Sequence, residues 1–321
     1  MSWQKKLAQG FSSASELLNY LELPLHDASL VEKQFPSRIP LGFAQRMQKR
    51  NPRDPLLLQV LAVEQELEDV PGYELDPLIE AQVNPLKGLI HKYYGRVLLT
   101  LTGACAVNCR YCFRRHFPYH ANNPGRLGWE PIMEYLKKDN TITEVILSGG
   151  DPLLANNLLL SQLIKRIEEI PHIHTLRIHT RIPIVFPERI DKELLELLAS
   201  SSLNKVLVLH CNHAQELDSN VKKVCDALRQ ADCHLLNQSV LLAGINDDAT
   251  VLSTLSQTLF SYGVLPYYLH VLDKVQGAAH FDIHRDKAKA VYQQLQALLP
   301  GYLVPRLVCE EPGCLNKTLI K

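Results

Sequence analysis

Cys105, Cys109 and Cys112 sit in the stretch GACAVNCRYCFRRHFPY (103–119) with the spacing Cys-x3-Cys-x2-Cys. A structural zinc site normally takes four ligands, often as two separated Cys-x2-Cys pairs, and no second pair is present. Three thiolates suit a [4Fe-4S] cluster in which one iron has no protein ligand and is free to bind a small molecule. Two duller readings stand beside this one: buried thiols grouped by chance, and an electron-carrying cluster whose fourth ligand lies elsewhere in the chain. About forty residues on, Ser148, Gly149, Gly150 and Asp151 open the stretch SGGDPL. A glycine pair at a strand end lets a backbone edge approach a ligand, although such a sequence is also an ordinary turn.

These residues need a scaffold, and the apolar rhythm supplies one. Strands are expected at 96–102, 144–150, 175–180, 205–211, 235–242 and 265–272. Amphipathic stretches such as LLLSQLIKRIEEI, KELLELLAS, SNVKKVCDALRQ and VLSTLSQTLF lie between successive strands. That alternation demands right-handed crossovers, hence an α/β fold with a parallel sheet, either open or curled into a partial barrel. Polar residues gather at the C-terminal strand ends, where such folds build active sites. Residues 1–90 read as a helical extension, with SASELLNYLEL and PLLLQVLAVEQELEDV as helices around the breakers Pro36, Pro40, Pro52 and Pro55. Residues 91–321 form the catalytic body.

Lys plus Arg equals Asp plus Glu at 34 each, which removes the broad electrostatic argument for nucleic acid or an anionic membrane as partner. No apolar run reaches the roughly 18 residues of a membrane span, and the N-terminus lacks a secretory h-region, so a cytoplasmic location is expected. The eight cysteines are then thiols, not a disulfide framework, and Cys225 is a buried thiol. His172, His174, His179, His280 and His284 lack ligand-like company and read as surface or core. Arg110 and Arg115 read as shielding or packing around an anionic cluster.

The motifs CRYCFRRHF, LSGGDPLL, RIPIVFPERI, NQSVLLAGIND and EEPGCLNKT together resemble lysine 2,3-aminomutases of the radical S-adenosylmethionine superfamily. FPSRIPLGFAQRMQKRNPRDPLLLQVLAVEQE and GLIHKYYGRVLL look like the short branch of that family, which makes (R)-β-lysine for modification of translation elongation factor P. The resemblance implies a partial (β/α)6 TIM-like barrel and an isomerase that moves an amino group within L-lysine. It implies three cofactors: the [4Fe-4S] cluster on Cys105, Cys109 and Cys112, S-adenosylmethionine on its open iron, and pyridoxal phosphate. By the same likeness Lys317 binds pyridoxal phosphate covalently, Lys92 and Arg96 hold its phosphate, and Tyr93 stacks on its ring.

Ser148, Gly149, Gly150, Asp151 and His210 are expected to contact S-adenosylmethionine. Arg114 matches the position that takes the substrate carboxylate, and Asp247 and Glu310 match the acids for its distant ammonium. A reductant protein for the cluster and a functional link to an elongation factor P lysyl ligase follow as partners, and homo-oligomer formation is allowed. The chain stops four residues after Lys317 and lacks the C-terminal cysteine cluster of the longer relatives. Against this reading stand a catabolic free-lysine aminomutase and a non-catalytic iron-sulfur electron carrier.

Overall fold

A computed structural model describes residues 2–122, 124–125 and 128–320. Its sheet has nine strands in chain order: β1 (Leu89–Tyr93), β2 (Arg96–Thr102), β3 (Glu144–Gly149), β4 (Thr175–Thr180), β5 (Asn204–His210), β6 (Cys233–Val240), β7 (Leu265–His270), β8 (Arg306–Cys309) and β9 (Thr318–Leu319). β2 to β8 are parallel throughout, while β1 and β9 close the two edges in antiparallel register. The six expected strands are β2 to β7, each within two residues of its expected bounds. β8 is an addition: four residues between Pro305 and an acidic turn carry too little periodicity to stand out.

Alternation within the strands decides what faces the interior. In β4, Leu176 and Ile178 are buried toward the helices, whereas Arg177 and His179 point the other way into a central cavity. β6 repeats the pattern, with Gln238 and Val240 facing the cavity. Helices Asn157–Glu168, Lys192–Ser200, Ser219–Gln230 and Ala249–Ser261 cover the outer face. Each starts at an Asn or Asp whose side chain accepts backbone N–H groups of the first turn: Asn156, Asp191, Asp218 and Asp248. The strand-to-helix connections are thereby fixed at the sheet end where the functional residues lie.

The N-terminal residues do not build a separate principal core. Leu17, Leu21, Phe43, Leu56 and Leu57 belong to the same hydrophobic cluster as Leu99, Leu147 and Leu209 of the sheet. The helix expected in SASELLNYLEL is present as Ala14–Leu21, with Leu17, Leu18 and Leu21 buried. The long helix expected from Pro55 onward is not. Only Pro55–Leu58 is α-helical, and Glu64–Leu67 is a 3-10 turn.

Tertiary charge pairing overrides the helical pattern there. Glu66 turns inward, taking Arg110 Nε and Nη2 at 2.8 and 2.6 Å and Arg115 Nη2 at 2.6 Å. Arg110 and Arg115 therefore anchor the N-terminal segment beneath the cysteine loop, with their guanidiniums engaged by Glu66. All three side chains are at most 2% exposed. Removing one partner of a buried pair strands the remaining charge at a cost of about 3–5 kcal/mol. Glu66→Ala is thus expected to lower the urea midpoint far more than Glu130→Ala, which breaks an ion pair with Arg166 on the surface. Equal shifts would contradict the anchoring role.

Candidate active site

A cavity of about 660 Å³ opens among the C-terminal ends of the parallel strands and is closed on one side by the cysteine loop. The loop follows β2 directly and is pinned by the glycine pair ending β3. Gly149 has φ +114, and a Cβ on Gly150 would lie 2.3 Å from the Ala104 carbonyl oxygen. The N–H groups of Gly150 and Asp151 donate to Thr102 and Ala104 carbonyls at 2.7 and 2.8 Å. Only a residue without a side chain permits that approach. The pair thus has a second task besides the expected cofactor contact, which is to hold the loop against β3.

Cys105, Cys109 and Cys112 all line the cavity. Burial pushes the Cys105 thiol well up and the Cys112 thiol to about 11, and neighbouring thiols add to both shifts. Grouped thiols that repel one another as thiolates suit a cationic iron-sulfur core that would hold them deprotonated. Among the described residues, no three His, Cys, Asp or Glu side chains converge around a single metal ion. Three thiols lining one cavity are a donor set that fits a cluster.

Asp151 also lines the cavity, but its carboxylate is committed elsewhere. Oδ1 accepts from Leu153 N–H and the Thr180 hydroxyl, and Oδ2 from Arg181 and Ile182 N–H. Burial raises its pKa to about 6 despite those bonds. Asp151 braces the turn after β4, and Ser148, Gly149 and Gly150 line the cavity beside it. His210 ends β5 in the cavity wall, 2.8 Å from the Gln238 amide, and burial lowers its pKa to about 3, so it is a neutral hydrogen-bonding group.

Lys317 closes the opposite wall beside β9. Its Nζ is paired with Glu310, which also takes Lys92 Nζ at 3.1 Å and the Tyr93 hydroxyl at 2.8 Å. Burial works to raise the Glu310 pKa, but the two ammonium groups outweigh it and hold the carboxyl well below its usual range. The Tyr93 ring lies between cations, 5.4 Å from Lys92 Nζ and 4.8 Å from the Arg96 guanidinium. Lys92, Tyr93, Arg96 and Lys317 thus share one corner. An amine, two further cations and an aromatic face suit an anionic aromatic aldehyde such as pyridoxal phosphate.

Arg114 is buried, its Nε and Nη2 bound in a fork to Glu80 at 2.8 and 2.6 Å, while Nη1 donates to the Ser148 hydroxyl at 3.0 Å. Asp247 is not brought to the cavity. It accepts from Gly244 N–H at 3.0 Å and pairs with Lys287 on the outside. The acid the structure supplies instead is Asp273, three residues past β7 and in the cavity wall. Its carboxylate has no hydrogen bond or ion pair among the described residues. Burial, then Glu310, push its pKa up to about 7 against the pull of Lys317 and Lys92.

Asp273 and Glu80 are the residues that sequence reasoning missed, together with His179 and His270. Both histidines line the cavity, each with a buried Nε2 lacking a hydrogen-bond partner. Burial keeps both neutral. The available signal for Asp273, His179 and His270 was position at a C-terminal strand end.

The family model "Radical SAM superfamily" matches residues 99–252. L-lysine 2,3-aminomutase of Haemophilus influenzae is 46% identical to this chain, covering 99% of it and 95% of that relative. The protein of the same name from Escherichia coli K12 is 47% identical, with 98% and 93% covered. The one from Acetoanaerobium sticklandii is 34% identical over 98% of this chain and 77% of its own length. Likeness of that extent, over a cavity that gathers three thiols and a lysine, settles kinship: the chain belongs to the L-lysine 2,3-aminomutase family of the radical S-adenosylmethionine superfamily.

Proposed function

We propose that this chain converts L-lysine to (R)-β-lysine and that the product serves the modification of elongation factor P. The carrying observation is that one cavity holds the three thiols, Lys317 and the two acids Asp273 and Glu310. Cys105, Cys109 and Cys112 would hold the cluster, Ser148, Gly149, Gly150 and His210 would face S-adenosylmethionine, and Lys317, Lys92, Arg96 and Tyr93 would hold pyridoxal phosphate. When bound, S-adenosylmethionine at the cluster supplies a radical that takes a substrate hydrogen, and pyridoxal phosphate supplies the carbonyl that carries the migrating nitrogen.

The protein's own contribution is position and charge. Glu80 holds the Nε–Nη2 edge of Arg114, so the substrate carboxylate meets the Nη1 side, where Ser148 now accepts. The distant ammonium lies against Asp273, with Glu310 adding its charge as Lys317 gives up its amine pair. A glutamate side chain would meet two carboxylates there and be repelled. His179, His210 and His270, all neutral, add no competing cation. The resemblance of FPSRIPLGFAQRMQKRNPRDPLLLQVLAVEQE and GLIHKYYGRVLL to the branch that serves elongation factor P supports that placement over the catabolic one.

Losing a charge-assisted contact costs about 1.5–3 kcal/mol, so Asp273→Asn is expected to raise the KM for lysine about 10- to 100-fold, and Asp247→Asn to leave it unchanged. Asp273 must be ionised to hold the ammonium. With its pKa raised to about 7, lysine binding is expected to tighten as pH rises through that value, and Asp273→Asn to abolish the dependence. Lys317→Ala is expected to lose the visible absorbance of lysine-bound pyridoxal phosphate while keeping the cluster's iron. The function itself is tested by loading the protein anaerobically with all three cofactors and reductant, offering L-lysine or L-glutamate, and resolving the hand of the β-amino acid. (R)-β-lysine that a lysyl ligase attaches to elongation factor P supports the proposal; (S)-β-lysine, β-glutamate or no product overturns it.

A further inference from the structure

Cys109 differs from the other two thiols, among the described residues, in accepting a hydrogen bond from a buried guanidinium. Arg181, in the turn after β4, donates from Nη1 to Cys109 Sγ at 2.7 Å. Its Nη2 donates to Glu216 Oε2 at 2.9 Å and to Gln59 Oε1 at 2.6 Å. The Arg181 side chain is 7% exposed and that of Glu216 0%.

The arrangement is tightly held. Glu216 also accepts from the N–H groups of Asn212 and His213 and from the Gln59 amide. Asn212 in turn donates to Gln59 and to the hydroxyl of Tyr111, which directly precedes Cys112 in sequence. The Arg181 backbone N–H is fixed by Asp151. A residue so placed has neither freedom to reach the substrate end of the cavity nor a surface to solvate. Arg181 and Glu216 form a charge pair aimed end-on at one cluster ligand.

We propose that Arg181 and Glu216 are positioning residues that set the reduction potential of the cluster through Cys109, with opposite signs. The inference rests on the reading that Cys105, Cys109 and Cys112 hold a [4Fe-4S] cluster. Three thiolates on a 2+ core give a net charge of −1, and uptake of one electron from an external low-potential reductant makes it −2. A guanidinium donating to a thiolate sulfur stabilises the more negative state more, and so raises the potential. Glu216 on the far side of the guanidinium opposes that effect, because its charge acts on the same buried site in a low dielectric. A cluster that is harder to reduce delivers a stronger reductant to S-adenosylmethionine, so the pair balances ease of charging against driving force.

The test is a redox titration of the anaerobically reconstituted protein, following the EPR signal of the one-electron-reduced cluster, with iron and sulfide counted in every sample. Arg181→Gln is expected to move the midpoint to more negative potential, Glu216→Gln to more positive potential, and Arg181→Lys to shift it less than Arg181→Gln. If Arg181→Gln fails to fold, the positive shift of Glu216→Gln carries the test. Full clusters with unmoved midpoints, or both variants shifting the same way, overturn the proposal while leaving the cluster assignment intact. Absence of a cluster in the unaltered protein overturns that assignment and the proposal with it.

Discussion

Charge taken out of water must be paired, and the arrangement of this site follows from that requirement. An unpaired buried ion costs several kcal/mol, so buried cations of the site are met by acids. Arg110 and Arg115 share Glu66, Arg114 faces Glu80, Arg181 faces Glu216, and Lys92 and Lys317 share Glu310. Two of those acids come from the N-terminal ninety residues, and that segment is therefore bound to the barrel electrostatically as well as through the shared apolar core. Asp273 stands outside the pairing, and in the proposed reading it takes the substrate ammonium.

The parallel sheet supplies the geometry. Alternate side chains of β4 and β6 face either the covering helices or the cavity, so a single interior receives groups from strands far apart in sequence. The thiols enter at one wall, the Lys317 corner at the other, and the neutral histidines at the ends of β4, β5 and β7 line the space between without adding charge.

What the sequence revealed was whatever is encoded locally. The cysteine spacing, the glycine pair and the six longer strands rest on neighbouring residues, and each is found where the pattern put it. Lys317 was visible only through resemblance, since a lysine near a chain end carries no local signal of its own. The misreadings arise from long-range pairing. Asp247 was chosen for its place in a motif, but its side chain turns outward to Lys287, whereas Asp273 is brought inward by the end of β7. The helical pattern after Pro55 yields to the pull of Arg110 and Arg115 on Glu66, contacts spanning 44 and 49 positions that periodicity cannot register. The fork between Arg114 and Glu80 is likewise invisible along the chain.

In the proposed reading, cluster and amino acid share one cavity, with the substrate ammonium at Asp273. An anaerobic crystal structure of the loaded protein with L-lysine tests it most directly. A cluster on Cys105, Cys109 and Cys112, pyridoxal phosphate at Lys317, and the lysine ammonium within hydrogen-bonding distance of Asp273 are expected. A lysine bound with its ammonium at Asp247, or outside the cavity altogether, would contradict it.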